Sequence, residues 1–419
     1  MRGRRAAVLG GVLLAAACVE QVAAPGSCPA YCPAAGITIV DTLLAAVISR
    51  DSGFRGYVRP HQVGTVMLAA TLPGIVDGRS LFTFAGAGSR FRLTTTDTST
   101  GAITGADSAR LQLEVTRRDT GAHNLTLRLF RMPVTMDSNT AFDSLAPRFA
   151  DSLVVHTVNI DTLLARPGRR DSISGDSARV DTVNHLLVLS LKLDSTAARY
   201  VRADSGAAAY GVRVTADARA SIAIGKAATG PSIVWHFRVD SVGKSVARTS
   251  GIVQAGFQSF VFTPPAPPLD STLAVGGVPS ARSILRVAFP RFIRDSSQII
   301  RGTLLLVPAV PARGAPVDSF TVEAHTVLAD FGAKSPVALD ATRTDTTIIH
   351  IGATDTVKIE ITNLLQFWAA DSTRPTAIVL RAKAEGTSFA EIRFYPTKAQ
   401  AFRPALQVTF VRRFPFGAP

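Results

Sequence analysis

Thirty-one acidic side chains, seven histidines and three cysteines are the groups from which chemistry would have to be built in these 419 residues. Glycoside hydrolysis needs two carboxylates held across a bond, one with a raised pKa, and no fixed sequence spacing marks such a pair. Glu114, Glu323, Glu360 and Glu391 sit inside strand-like alternation, where the expected place is the solvent face. His61, His123, His156, His185, His236, His325 and His350 are scattered, with no His-Glu-x-x-His and no close pair, so no metal site is expected. His185, His236 and His325 are read as surface or cross-strand residues of strands. The Gly-x-Ser-x-Gly elbow of serine hydrolases is missing. Gly243-Lys244-Ser245 lacks the leading glycine of a phosphate loop, Arg238 standing in its place. Cys28 and Cys32 bound a Cys-Pro-Ala-Tyr-Cys segment without a βαβ context or further ligands, which leaves a small disulfide clip or unpaired thiols. No catalytic residue and no cofactor is expected.

The third cysteine, Cys18, has a different setting. Arg2, Arg4 and Arg5 precede an apolar run from Ala6 to Leu14, followed by Ala15-Ala16-Ala17-Cys18. This is the pattern of an export signal, and its apolar core is too short for the roughly 20 residues that span a bilayer. Small residues directly before a cysteine resemble the lipobox of bacterial lipoproteins, which implies acylation at Cys18, removal of residues 1–17 and attachment to a lipid bilayer. Val19 behind the cysteine carries no acidic retention signal, so the expected address is the outer membrane, on its periplasmic or cell-surface side. Removing three arginines leaves 42 basic and 31 acidic residues, a balance of +11. That charge is dispersed through segments such as Arg117-Arg118-Asp119, with no basic run and no aromatic interleaving, so no nucleic-acid partner is expected.

Composition and repetition define the scaffold. Of the acids only 6 are Glu, and of the 45 basic residues only 7 are Lys, which disfavours long solvent-facing helices. Alternating segments bounded by Asp-Ser, Asp-Thr, Gly and Pro point instead to antiparallel strands. At an offset of 168 residues, Leu189, Leu191 and Leu193 fall on Val357, Ile359 and Ile361, and Val212-Arg213 falls on Leu380-Arg381. Ile224 then meets Ile392, and the strand after Pro231 meets the one after Pro404. Upstream, Arg79 to Phe84 matches Arg282 to Val287, and Ser108 to Val115 matches Ile300 to Val307. In the second copy Thr362 is expected to cap a short helix with Leu364, Leu365 and Trp368 on one face, Trp368 matching Tyr200 of the first.

These motifs resemble the DNRLRE-type domain: an Arg-Ser-Leu or Arg-Ser-Ile strand, a Thr-x-x-Leu-x-x-Trp helical turn (Thr362, Leu365, Trp368), and a terminal Arg403-Pro404-x-Leu406-x-Val408-x-Phe410. The resemblance implies jelly-roll-like modules akin to carbohydrate-binding modules for alginate-like polymers. The expected fold is all-β, two tandem antiparallel β-sandwich domains after a lipoprotein signal (1–17) and flexible tether (18–50). The first module is placed at 51–248, with Gly56 to Arg59 as a remnant of its opening strand, a Pro-rich linker at 249–268, and the second module at 269–419. Trp235, Trp368, Tyr200 and Tyr210 follow buried patterns, leaving Tyr57 and Tyr395 as sugar-stacking candidates beside Tyr31. Arg213 and Arg381, equivalent in the two copies, are the candidates for a polyanion. The expected role is non-catalytic display and binding of polysaccharide. The alternatives are an adhesive protein that binds another envelope protein, and a polysaccharide-active hydrolase or lyase.

Overall fold

The computed structural model describes residues 38–412 apart from 57, 73–75, 87, 94–97, 194–206, 227–229, 242–243, 264–271, 279, 315–318 and 332–336. Cys18, Cys28, Cys32, Tyr31, Tyr57 and Tyr200 lie outside the described residues. The protein is all-β, built from three sheets in which the described pairings are antiparallel. Side-chain alternation produces these strands directly. In Leu186–Leu193, residues 187, 189, 191 and 193 are buried while Lys192 is exposed, the period of two that puts one face on a core.

One sheet of twelve strands closes on itself. Lys244–Phe262 pairs with Ser232–Ser241, which pairs with Thr100–Arg118; Ala220–Gly225, Thr65–Leu72 and Val76–Phe84 continue the order, and the last returns to Lys244–Phe262. Closure leaves this ring no open edge. Its interior holds Phe82, Phe84, Leu111, Leu113, Ile233 and Phe237. A second core lies against a four-stranded and an eight-stranded sheet, with Leu285, Leu304, Ile359, Trp368, Ile392, Phe394 and Phe410 inside it.

The repeat recurs as pairing register. Leu111 is flanked by Leu191 and Ile233; Leu304 is flanked by Ile359 and Leu406, the residues that sequence alignment equates with them. Ser80 lies opposite Val212, as Ser283 lies opposite Leu380. One alignment needs correcting. Leu111 corresponds to Leu304 and not, as the Ser108 to Ile300 match has it, to Thr303, a one-residue slip that would turn every side chain of that strand to the wrong face.

The divisions of the chain also differ from expectation. Residues 39–50, expected in a tether, form strands: Ile39–Leu44 pairs with Ala405–Arg412, and Ile48–Arg55 pairs with Ala281–Val287. Residues 249–262, expected in a linker, belong to Lys244–Phe262 of the closed ring. Gly56, Val58 and Arg59 belong to no strand; Gly56 has φ +81°, and the turn Pro60–Gln62 precedes Thr65–Leu72. Composition could not separate these cases, because a strand that completes a distant sheet looks locally like any other short apolar segment.

The two cores touch. Phe389, in the turn before the strand Glu391–Phe394, is fully buried among residues of the first core. A Cβ on Gly78 would run into its ring. Arg117 donates a hydrogen bond to the Thr387 carbonyl at 3.0 Å across the same junction.

A candidate binding face on the second core

The helix Thr362–Ala370 positions most of the site. Leu364, Leu365 and Trp368 are fully buried, as their spacing predicts, and Trp368 meets Phe289 edge-on at 5.9 Å. Turning that face inward leaves Asn363 on the outer side and Phe367, four residues on, at the flank. Thr362 is not the cap. Ile361 takes that place, and the Thr362 hydroxyl accepts the Gly302 amide at 2.8 Å while donating to Glu360.

Across from the helix runs Ala338–His350, an end strand of the eight-stranded sheet. Between them is a cleft of about 390 Å³ lined by Thr342, Arg343, Thr344, Asn363 and Phe367. The Arg343 guanidinium lies over the Phe367 ring at 4.1 Å, and Arg374 approaches that ring at 5.7 Å. Each arginine is held by one aspartate, Arg343 by Asp340 at 2.6 Å and Arg374 by Asp371 at 2.8 Å. A guanidinium carries five N–H donors, so one such contact leaves donors for a ligand. Hydrogen bonds from the Thr342 hydroxyl and amide, joined by Arg343, hold the Asp340 carboxyl far below the usual carboxylate range.

Behind the cleft is a buried charge network. Glu323, expected on the solvent face, is 5% exposed, and His325, read as a surface or cross-strand residue, is 3% exposed and meets Arg381 of the neighbouring strand. His325 Nδ1 lies 3.1 Å from the Asp340 carbonyl, an acceptor only, so Nδ1 carries a proton. Its Nε2 lies 2.9 Å from Glu323 Oε2 and 3.1 Å from Arg381 Nε. Arg381 grips Glu323 through Nε at 3.0 Å and a terminal nitrogen at 2.9 Å. Burial pushes the Glu323 carboxyl up, but hydrogen bonds from His325 and Arg381, with the charge of Arg381, outweigh it and the net shift is downward. Glu391, also expected outside, is 5% exposed and bound to Arg393 and Arg55.

Of the residues chosen from sequence, Arg381 and Arg213 occupy equivalent strands, Ala377–Ala382 and Ala208–Thr215, and neither lines the cleft. Arg381 is engaged by Glu323. Arg213 lies 3.8 Å from Asp151, which Arg128 holds at 2.8 Å. Tyr395 sits elsewhere, its ring 5.5 Å from that of Phe402, which is 61% exposed at φ +60°. Sequence reasoning missed Arg343, Asn363 and Phe367. The helix period puts Phe367 on the flank of the buried face, where it is half-buried against the second core; the partner strand was not readable.

A further carboxylate stands near the helix. Asp345 is pushed up, first by burial and then by the charge of Glu360, while Asn363 holds it partly down. Its Oδ2 is buried without a hydrogen-bond partner. Among the described residues no group of three or more His, Cys, Asp or Glu is placed to hold a metal ion.

No family model and no curated protein matches this chain. Two solved structures align at 10% identity: "BspA_C_mut", over 84% of this chain and 90% of that one with a TM-score of 0.15, and the Streptococcus agalactiae AgI/II polypeptide BspA C-terminal domain, over 83% and 87% with a TM-score of 0.14.

Proposed function

We propose that this is a non-catalytic lipoprotein of the cell envelope, anchored in the outer membrane through Cys18, whose tandem β-sandwich modules of DNRLRE type bind an acidic polysaccharide. The observation that carries the reading is the Arg343–Phe367 cleft. It combines an aromatic ring, Arg343 with donors to spare, and the neutral donors and acceptors of Thr342, Thr344 and Asn363, with Arg374 near the same ring outside the lining. A sugar carboxylate matches the paired N–H groups of a guanidinium, and the adjacent hydroxyls match threonine and amide groups. The balance of +11 left after residues 1–17 are removed attracts a polyanion from a distance.

A glycan array probed with the chain from residue 18 onward, Cys18 replaced by serine, tests this reading. Retention on polyuronates, and weaker retention on neutral glycans of equal length, is the expected outcome. Silence on every glycan overturns the reading and favours a protein-binding adhesive role. One observation favours an enzyme: Asp345, with its raised pKa, beside Glu360, with its lowered one, has the divergence that acid and base pairs show. Release of reducing ends or of unsaturated uronate from a bound polymer would establish that reading instead.

A further inference from the structure

In each core one place bridging two strands is filled by a segment from the border of a sequence copy. Ile39–Arg55 stands at the start of the first copy, and Lys244–Phe262 follows Ser232–Ser241 at its end. In the first core, Lys244–Phe262 bridges the strands Ser232–Ser241 and Val76–Phe84, with Val253 opposite Ile233 and Phe260 opposite Ser80. In the second core, Ile39–Arg55 bridges the equivalent strands, Ala405–Arg412 and Ala281–Val287, with Leu44 opposite Leu406 and Gly53 opposite Ser283. Since Ile233 and Ser80 are the counterparts of Leu406 and Ser283, the two segments fill the same place, with two more residues between the paired positions in Ile39–Arg55 than in Lys244–Phe262. The first core is thus closed by the strand that follows Ser232–Ser241 in the chain, the second by a strand supplied from the start of the described chain.

From this we propose that Ile39–Arg55 is an exchangeable closing arm, and that its acceptor face on the second core is an interaction surface for the same arm of a second copy of this chain. The occupant is defined by the arm that the face already takes, because the backbone bonds and inward apolar contacts of Val40 and Leu44 are identical whichever molecule supplies it. The arm's link to the first core is short, residues 56–64, and is fastened at both ends. Gly56 N donates to the Ser280 carbonyl at 3.1 Å and Val58 N to the Ser280 hydroxyl at 3.0 Å, while Lys226 Nζ donates to the carbonyls of Pro60 and His61, each at 3.1 Å. Opening that link lets the arm reach a neighbour and leaves a vacant acceptor for the neighbour's arm. The exchange gains no new contact, so dimers form by mass action and on refolding, not by dilution of folded monomer.

Cysteine pairing tests the proposal, in chains whose Cys18, Cys28 and Cys32 are serine. Asp41 and Thr409 face one another across the arm pairing, the Thr409 hydroxyl donating to Asp41 at 3.2 Å. A chain carrying both Asp41→Cys and Thr409→Cys should crosslink within the monomer on oxidation. Two single variants, each refolded together with the other at rising concentration, should yield a mixed disulfide dimer at least ten-fold above either variant refolded alone. The double variant, oxidised before it is concentrated, should lose the dimer that unlocked protein shows by light scattering. Absence of the mixed dimer while the double variant closes overturns the exchange between molecules. Failure of the double variant to close overturns the arm's placement and the proposal with it.

Discussion

At the residue scale, the two arginines equivalent by sequence should behave differently when removed. Arg381 is bound twice to a buried carboxylate, so Arg381→Ala leaves Glu323 short of its main counter-charge and should destabilise the fold by about 2–3 kcal/mol. Arg213 faces Asp151 at 3.8 Å, an acid 70% exposed and already held by Arg128, so Arg213→Ala should cost less than about 1 kcal/mol in urea unfolding. The acid limb of stability follows from the same region. Asp340 and Glu323 have folded pKa values below their unfolded ones, so their stabilisation is complete above the ordinary carboxylate range and is lost as pH falls through the depressed folded values. Melting temperature should therefore drop below about pH 4 more steeply in the native sequence than in Asp340→Asn, which is expected to be less stable at pH 7 and flatter in acid. Equal slopes would remove Asp340 from the account. What sequence could not show here was burial: Glu323 and Glu391 lie on strand positions that alternation assigns to solvent, and they are buried against Arg381 and against Arg393 and Arg55, partners distant in sequence except for Arg393.

At the element scale, alternation located strands such as Leu186–Leu193 and Ala377–Ala382 and the helix Thr362–Ala370, because it depends on neighbours a few residues away. Pairing partners depend on residues hundreds of positions apart, and there the reading failed for 39–55 and 249–262. Phe367 illustrates the boundary. Its half-buried place beside the face of Leu364, Leu365 and Trp368 follows from the helix period, whereas the strand that brings Arg343 over its ring was not legible. Close backbone approach fixes another junction. Gly277 donates to the Ala390 carbonyl at 3.1 Å and accepts from the Gly386 amide at 2.9 Å, and a Cβ there would collide with the Ser388 carbonyl oxygen. Gly277→Ala should consequently destabilise the protein by about 1–3 kcal/mol through a backbone shift, measured as a lowered denaturation midpoint with the m-value unchanged. An unchanged midpoint would show that the turn has room to yield.

At the scale of the whole molecule, the duplication read from sequence reappears as matching strand order around two cores, yet the halves are not beads on a linker. Phe389 is carried by the second half and buried in the core of the first, and the arm Ile39–Arg55 starts the chain's described part and finishes its last sheets. Both features join early sequence to late sequence, so heat or urea should unfold the native protein in one transition observed alike by all probes. Phe389→Ala removes a fully buried ring, with an expected cost of about 3–5 kcal/mol, and should split the transition into two. A single transition of unchanged midpoint would place the coupling elsewhere.

The binding claim meets its most direct test in calorimetric titration of a uronate oligosaccharide into the chain from residue 18 onward, alongside Phe367→Ala and Arg343→Ala. The predicted result is saturable binding that weakens with added salt and falls at least ten-fold, about 1.4 kcal/mol, in each variant, with the melting temperature of Arg343→Ala near that of the parent and that of Phe367→Ala, whose half-buried ring packs against the second core, somewhat lower but still well above the temperature of the titration. Equal affinity in all three proteins, or no heat with any uronate, would contradict it.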